Sequence, residues 1–297
     1  MFLRNAWYVA ASADEIPADR PFGRTLLGEP VVLFRDASGR VAALHDRCCH
    51  RHYPLSRGRI VEAGLECGYH GLTFDGGGQC VRVPAQATIP DGACVRSYPV
   101  VERHKWIWIW LGDPALADPA GICDFRWIDH PDWGAKGTVF HVKAGYELII
   151  ENLLDLTHLA FVHRTTIGNM ATAEQADVRV QRSDDGVTVS RWMIDTPPPP
   201  TYVKAGGFTG NVDRWQYIHF TPPGFVRLDV GACDTRAGAR DLKTGPFVAE
   251  GRMPGGIEMR NLNAITPETD KTCHYFWAQA RREARRVGKE GRSRGSP

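Results

Sequence analysis

The chain has 297 residues, 43% of them hydrophobic, with a formal net charge of +2. That is material for about two packed domains and argues against intrinsic disorder, and no run approaches the ~18 apolar residues needed to span a membrane. The basic excess lies in residues 281–297, which hold seven Arg or Lys against two Glu; the first 280 residues are mildly acidic, so nucleic acid is not an expected partner.

The opening Met1-Phe2-Leu3-Arg4-Asn5-Ala6-Trp7 contains no apolar run of signal-peptide length, so a cytoplasmic protein with reduced thiols is expected. From Trp7 to about Leu111 the chain reads as short strands joined by turns. Pro30–Arg35 and Val41–Leu44 are apolar runs on either side of the turn Asp36-Ala37-Ser38-Gly39. Between them and the next strand signal, Gly71–Phe74, stand two ligand-rich segments, Cys48-Cys49-His50 and Cys67-Gly68-Tyr69-His70. Each offers a thiolate and an imidazole within one tight turn, so the two form opposing fingers at hairpin tips. Two Cys and two His suit a Rieske [2Fe-2S] centre, in which one iron takes the thiolates and the other the imidazoles. Structural zinc in a scaffold protein is the competing reading of the same donors. Tyr69 is placed to donate a hydrogen bond to a cluster or simply to pack. Cys49, Cys80, Cys94, Cys123, Cys233 and Cys273 show no ligand pattern and read as core or loop thiols.

Trp106-Ile107-Trp108-Ile109-Trp110 is aromatic and β-branched throughout, which predicts a strand with its Trp face in the core. Gly112–Pro119 punctuates the chain and divides an amino-terminal unit, 1–112, from a second, 120–280, with 281–297 as a basic tail. In the second unit Tyr146–Phe161 predicts a helix carrying Glu151, Asp155 and His158 on one face. His163 lies about 140° out of helical phase with His158, so the helix must bend or end between them. Two histidines with a nearby carboxylate suit a 2-His-1-carboxylate non-haem Fe(II) site. Strands are expected at 178–180, 186–190, 216–220, 225–230 and 274–277, and Pro197–Pro200 as an extended loop.

The stretch Cys48-x-His50-Arg51…Pro54-Leu55-Ser56…Cys67-Gly68-Tyr69-His70-Gly71-Leu72 resembles the amino-terminal domain of the Rieske non-haem iron oxygenases, with Cys49 where that family usually has proline. Asn152-Leu153-Leu154-Asp155-Leu156-Thr157-His158…Val162-His163 resembles their mononuclear iron motif. Asn5–Ala10, Val212–Trp215 and Tyr275–Trp277 are most similar to the vanillate O-demethylase branch. The resemblance implies an α+β protein: an all-β Rieske domain, then a helix-grip (START-like) catalytic domain with a curved antiparallel sheet. It implies that Cys48, His50, Cys67 and His70 bind the cluster, that His158 and His163 bind Fe(II), and that Asp155 bridges His70 of one subunit to the iron of its neighbour in a homotrimer. It further implies a flavin/iron–sulfur reductase fed by NAD(P)H, O₂ as co-substrate, and hydroxylation of a methyl or methoxy group on a small aromatic acid. Arg164 and Arg214 are the basic residues offered to that acid group.

The family's third iron ligand is a late aspartate, and no aspartate follows Asp270 here; Glu283 and Glu290 are the carboxylates that remain. The expectation is therefore a well-formed cluster with weakly held iron. The alternative is a Rieske electron-transfer or binding protein with a degenerate iron site.

Overall fold

The computed structural model describes residues 2–84, 86–237 and 256–282. The amino-terminal part is built from eleven short strands. These are β1 (Trp7–Ser12), β2 (Phe22–Leu26), β3 (Glu29–Arg35), β4 (Val41–His45), β5 (Arg59–Val61), β6 (Gly64–Glu66), β7 (Thr73–Phe74), β8 (Cys80–Arg82), β9 (Ser97–Tyr98), β10 (Val100–Arg103) and β11 (Trp106–Trp110). They form three sheets, ordered β1-β11-β10, β2-β3-β4-β9 and β5-β6-β7-β8; the first ligand segment lies between β4 and β5, leading from the second sheet to the third, and the second joins β6 to β7.

The tryptophan strand decides how the molecule is joined. Alternation along β11 sends Ile107 and Ile109 to one face, where they pack with Tyr8, Leu26, Val31 and Leu33 inside the amino-terminal part. Trp106, Trp108 and Trp110 go to the other face, and there they meet the second part of the chain. Both faces of this strand are buried, which is why it has no polar residue.

The second part runs β12 (Trp133–Val142), α1 (Tyr146–Leu154), α2 (Leu159–Val162), α3 (Met170–Glu174), β13 (Asp177–Ser183), β14 (Gly186–Thr196), α4 (Pro200–Gly206), β15 (Val212–Thr221), β16 (Phe225–Asp234), β17 (Ile257–Pro267) and β18 (Cys273–Arg282). Its strands make one antiparallel sheet in the order β12-β18-β17-β16-β15-β14-β13. Phe225, Ala264 and Phe276 stand side by side across β16, β17 and β18. Trp108 lies 5.3 Å from Phe225 and Trp106 6.2 Å from Phe276, ring centre to ring centre. Such aromatic contacts contribute about 0.5–1.5 kcal/mol each beyond the area they bury. The opposite face of the sheet, with Val189, Ile218, Val226, Leu228 and Ile265, is covered by Ile150, Leu156 and Leu159 of the helical layer. This is the expected helix-grip arrangement, a curved antiparallel sheet holding helices.

Four expectations need correction. The helix over Tyr146–Phe161 is two: α1 ends at Leu154 and α2 begins at Leu159. Pro200 opens α4 rather than extending the proline loop, as suits a residue with no N–H to satisfy. Strands β12 and β17 were not legible, because β12 is a glycine-bearing edge strand and β17 buries Glu258, Arg260 and Asn263. Finally, β18 continues through Arg281 and Arg282, which pair with Gly134 and Trp133 of β12, into the stretch expected to be tail. Glu283 and Glu290 lie outside the described residues.

Polar contacts also tie the parts together. Thr266 Oγ1 donates to Val9 O at 2.7 Å, and His274 Nε2 donates to Thr25 O at 3.1 Å. Burial holds the His274 imidazole down to about 4. Its ordinary value is near 6.5, so the unfolded chain takes up this proton first. The stabilisation is then complete above pH 6.5 and is lost as the pH falls toward 4, by on the order of 3 kcal/mol. The urea midpoint should drop across that window, and His274→Gln should drop less.

Candidate active site

The two ligand segments fold as matched knuckles. In the first, the N–H of Cys48 donates to Tyr53 O at 2.9 Å and the N–H of His52 donates to Cys48 O at 2.9 Å. In the second, Cys67 N–H donates to Leu72 O at 2.8 Å and Gly71 N–H to Cys67 O at 3.0 Å. The fourth residue after each cysteine turns into the left-handed region, His52 at φ 55° and Gly71 at φ 75°. Glycine suits the second position twice over, because a Cβ there would also meet Pro84 Cγ at 2.9 Å.

These turns bury the two thiols, each 2% exposed, and present His50 and His70 outward with ring centres 4.7 Å apart. A pair of inward thiols facing a pair of outward imidazoles fits a two-iron cluster, in which each iron takes one pair. Tyr69 stands at the surface beside His70. Its ring is 60% exposed and sits 3.9 Å from that of His70. Of the remaining cysteines, Cys80, Cys233 and Cys273 are buried, Cys123 is half-buried, and Cys49 and Cys94 are exposed.

The second centre depends on the break between α1 and α2. Asp155 is extended (φ −101°, ψ 100°) and its Oδ1 accepts from the Thr157 N–H at 3.0 Å and the Thr157 hydroxyl at 2.7 Å. An Asp side chain bonded two residues onward competes with the helix and ends it. The chain then makes the single turn α2, with His158 just before it and His163 just after it. The five-residue spacing is thereby reconciled, and the two rings lie 5.5 Å apart. His158 Nδ1 is 2.7 Å from Asp155 O. A carbonyl only accepts, so Nδ1 carries the proton and the Nε2 lone pair is left for a metal. Two imidazoles thus suit an iron ion as far as two of its three protein ligands; among the described residues no three His, Cys, Asp or Glu side chains converge on one point.

Asp155 is held below the usual carboxylate range, first by its Thr157 hydrogen bonds and then by Arg191 and His158. Its side chain is 68% exposed, while Arg191, whose Nη2 lies 3.5 Å from it, is 7% exposed. Arg191 was missed in the sequence. The available signal was a charge in phase with Val187 and Val189 on the sheet's inner face. Its Nε has no hydrogen-bond partner among the described residues and remains to be satisfied. The two basic candidates for an acid group lie in different settings. Arg164 is exposed, and Arg214 is 2% exposed and clamps the loop after α2 through Ile167 O at 2.8 Å and Thr172 Oγ1 at 3.1 Å. Glu151 and Asn152 are exposed on α1.

Comparison with known proteins agrees with this layout. Residues 6–99 match the Rieske [2Fe-2S] domain, and residues 142–292 match the vanillate O-demethylase oxygenase C-terminal domain. The chain is 45% identical over 284 residues to the toluene-4-sulfonate monooxygenase system iron-sulfur subunit TsaM1 of Comamonas testosteroni, covering 95% of this chain and 79% of that protein. It is 39% identical over 286 residues to the dicamba O-demethylase oxygenase component of Stenotrophomonas maltophilia, covering 94% and 78%. Among solved structures, dicamba monooxygenase bound to 3,6-dichlorosalicylic acid superposes with a TM-score of 0.84 at 37% identity, over 95% of this chain and 78% of that one. No helix among the described residues is long and apolar enough to cross a membrane.

Proposed function

The chain belongs to the Rieske non-haem iron oxygenases of the vanillate O-demethylase type, and from that premise we propose that it is the terminal oxygenase of a monooxygenase system acting on a methyl or methoxy group of a small aromatic acid. The observation that carries this reading is the pairing of donors: buried Cys48 and Cys67 opposite outward His50 and His70, and His158 and His163 at the two ends of one helical turn. In this reading residues 1–112 form the Rieske domain and 120–280 the catalytic domain, and the protein works in the cytoplasm. Cys48, His50, Cys67 and His70 hold the [2Fe-2S] cluster, and His158 and His163 hold the mononuclear Fe(II). Electrons come from NAD(P)H through a separate flavin/iron–sulfur reductase.

The iron supplies O₂ activation, and the protein's part is to deliver electrons and position the substrate. The carboxylate of Asp155 is fixed by Thr157 and backed by Arg191, while the main-chain carbonyl of Asp155 orients His158. Its exposed oxygens are available to His70 of a second copy, which supports a homotrimer with an inter-subunit electron path. Hydroxylation of a methoxy carbon leaves a hemiacetal, which collapses to a phenol and formaldehyde. Arg191, with its unsatisfied Nε on the sheet's inner face, supports an anionic substrate better than Arg164 or Arg214.

A second reading, a Rieske electron-transfer or binding protein, rests on the missing partner at the iron: no carboxylate joins His158 and His163 among the described residues. Iron and acid-labile sulfide per chain, measured on anaerobically purified protein, separate the two. About three irons and two sulfides support the oxygenase; about two and two leave only the Rieske centre. A colourless protein containing zinc would dismiss both.

A further inference from the structure

A cavity of about 650 Å³ opens on the face of the catalytic sheet turned away from His158 and His163. Its floor is the side of β15 and β16 that alternation sets opposite Ile218: Tyr217 and His219 from β15, Arg227 and Asp229 from β16. Trp127, in the turn Arg126–Ile128, and Trp133, at the start of β12, form a wall. Several charges here are matched. Arg260 Nη1 reaches Asp229 Oδ1 at 2.6 Å, and its guanidinium lies 5.7 and 5.0 Å from the ring centres of Trp127 and Trp133. Asp124 is paired with Arg126, and Asp132 and Asp185 are exposed.

Two neighbouring polar groups are left over. His219 and Arg227 are direct cross-strand partners. His219 Nδ1 is 2.8 Å from the Thr188 hydroxyl, while its Nε2 is buried without a hydrogen-bond partner; Asp185 Oδ2 comes to 3.5 Å but makes no hydrogen bond with it. The half-buried guanidinium of Arg227 makes no ion pair or hydrogen bond with any described residue, and Arg282, which also lines the cavity, makes none either.

A buried ring nitrogen and a half-buried cation without partners cost free energy, and one anion seated between them satisfies both. We infer that this cavity is a second ligand site, which takes a small aromatic anion: its carboxylate or sulfonate bridges His219 Nε2 and the Arg227 guanidinium, and its ring lies along Tyr217 and Trp127. The volume is within the range of small-molecule pockets. Tyr217 and the two tryptophans offer the ring apolar surface to bury, which a bare anion cannot use. The sheet stands between this site and the paired histidines, so its occupant does not reach them. The inference therefore goes beyond the oxygenase reading and holds whether or not the iron site is complete.

Equilibrium dialysis of benzenesulfonate against the holoprotein tests this. Wild type should bind one more benzenesulfonate per chain than Arg227→Gln does, and His219→Gln should weaken that binding about tenfold. Arg191→Gln, altered on the opposite face of the sheet, should keep the outer site. The thermal midpoint of Arg227→Gln should not fall, because that side chain has no described partner to lose. Methanesulfonate, which carries the charge without the ring, should compete about tenfold less well than benzenesulfonate itself. A crystal of the wild-type holoprotein soaked in benzenesulfonate should show the anion between His219 and Arg227. Equal binding by wild type and Arg227→Gln overturns the site, as does loss of all binding in Arg191→Gln, which would assign the anion to the inner face. An empty cavity in the soaked crystal overturns it independently of any variant. Equal competition by methanesulfonate overturns the aromatic class of the ligand.

Discussion

Replacing Cys67 with serine should abolish the cluster outright: acid-labile sulfide falls from about two per chain to none, the visible absorption disappears, and turnover goes with it. The reason is charge. A thiolate neutralises and binds iron at neutral pH, whereas a serine hydroxyl stays protonated there and offers a poor neutral donor. The loop itself should survive, because it is held by main-chain bonds, Cys67 N–H to Leu72 O at 2.8 Å and Gly71 N–H to Cys67 O at 3.0 Å. Burying one hydroxyl in place of a thiol at a site 2% exposed costs roughly 1–3 kcal/mol. The variant should therefore keep its far-ultraviolet circular dichroism while losing its colour. Cys80→Ser is the control, since Cys80 is also a buried thiol of this lobe, and its Sγ donates to Arg82 O at 3.4 Å, a bond that a serine hydroxyl can keep. A Cys67→Ser protein that retains sulfide, or a Cys80→Ser protein that loses it, would sink the ligand assignment.

Asp155→Asn should leave both metal centres loaded and slow turnover by about 100-fold, at the upper end of what removal of an outer-shell partner costs. The amide keeps an oxygen for the Thr157 N–H and hydroxyl, now at 3.0 and 2.7 Å, so the end of α1 and the two histidines should stay in place. What is lost is the negative charge that balances Arg191 and that the proposed electron path requires. In a single-turnover experiment the pre-reduced cluster should stay reduced after substrate and O₂ are added. Because Asp155 is held below the usual carboxylate range, wild-type activity should show no pH limb from this group between about pH 6 and 9. Reoxidation of the variant's cluster at the wild-type rate would remove Asp155 from the electron path.

Both chemical centres were legible before any fold was known, for a physical reason. Ligand chemistry needs particular atoms at short spacing, and Cys48 to His50, Cys67 to His70 and Asp155 to His163 each lie within one or two turns of chain. The tryptophan strand was legible for a similar local reason, since period-two alternation of large apolar residues has few other solutions. Arg191 and Arg214 are the opposite case. Each sits inside a strand just before a tryptophan, and no local pattern separates the one that backs Asp155 from the one that clamps Ile167. Strand β17 escaped notice because its buried Glu258, Arg260 and Asn263 look like surface until the sheet supplies partners, as Val226 O does for Asn263 Nδ2 at 2.7 Å.

Sequence by itself therefore determined the family and the two cofactors and supplied the candidate side chains for them, because those depend on donor identity and short-range spacing. Only the tertiary structure decided the rest. It showed that the helix breaks at Asp155 so that His158 and His163 flank one turn, that the Trp face of β11 joins two sheets rather than filling one core, and that Arg191 stands beside the Asp155 carboxylate. The last two depend on contacts between residues tens to hundreds of positions apart, where burial and partner geometry, not local propensity, set the energy, whereas the break is made by the bonds of Asp155 to Thr157, two residues on.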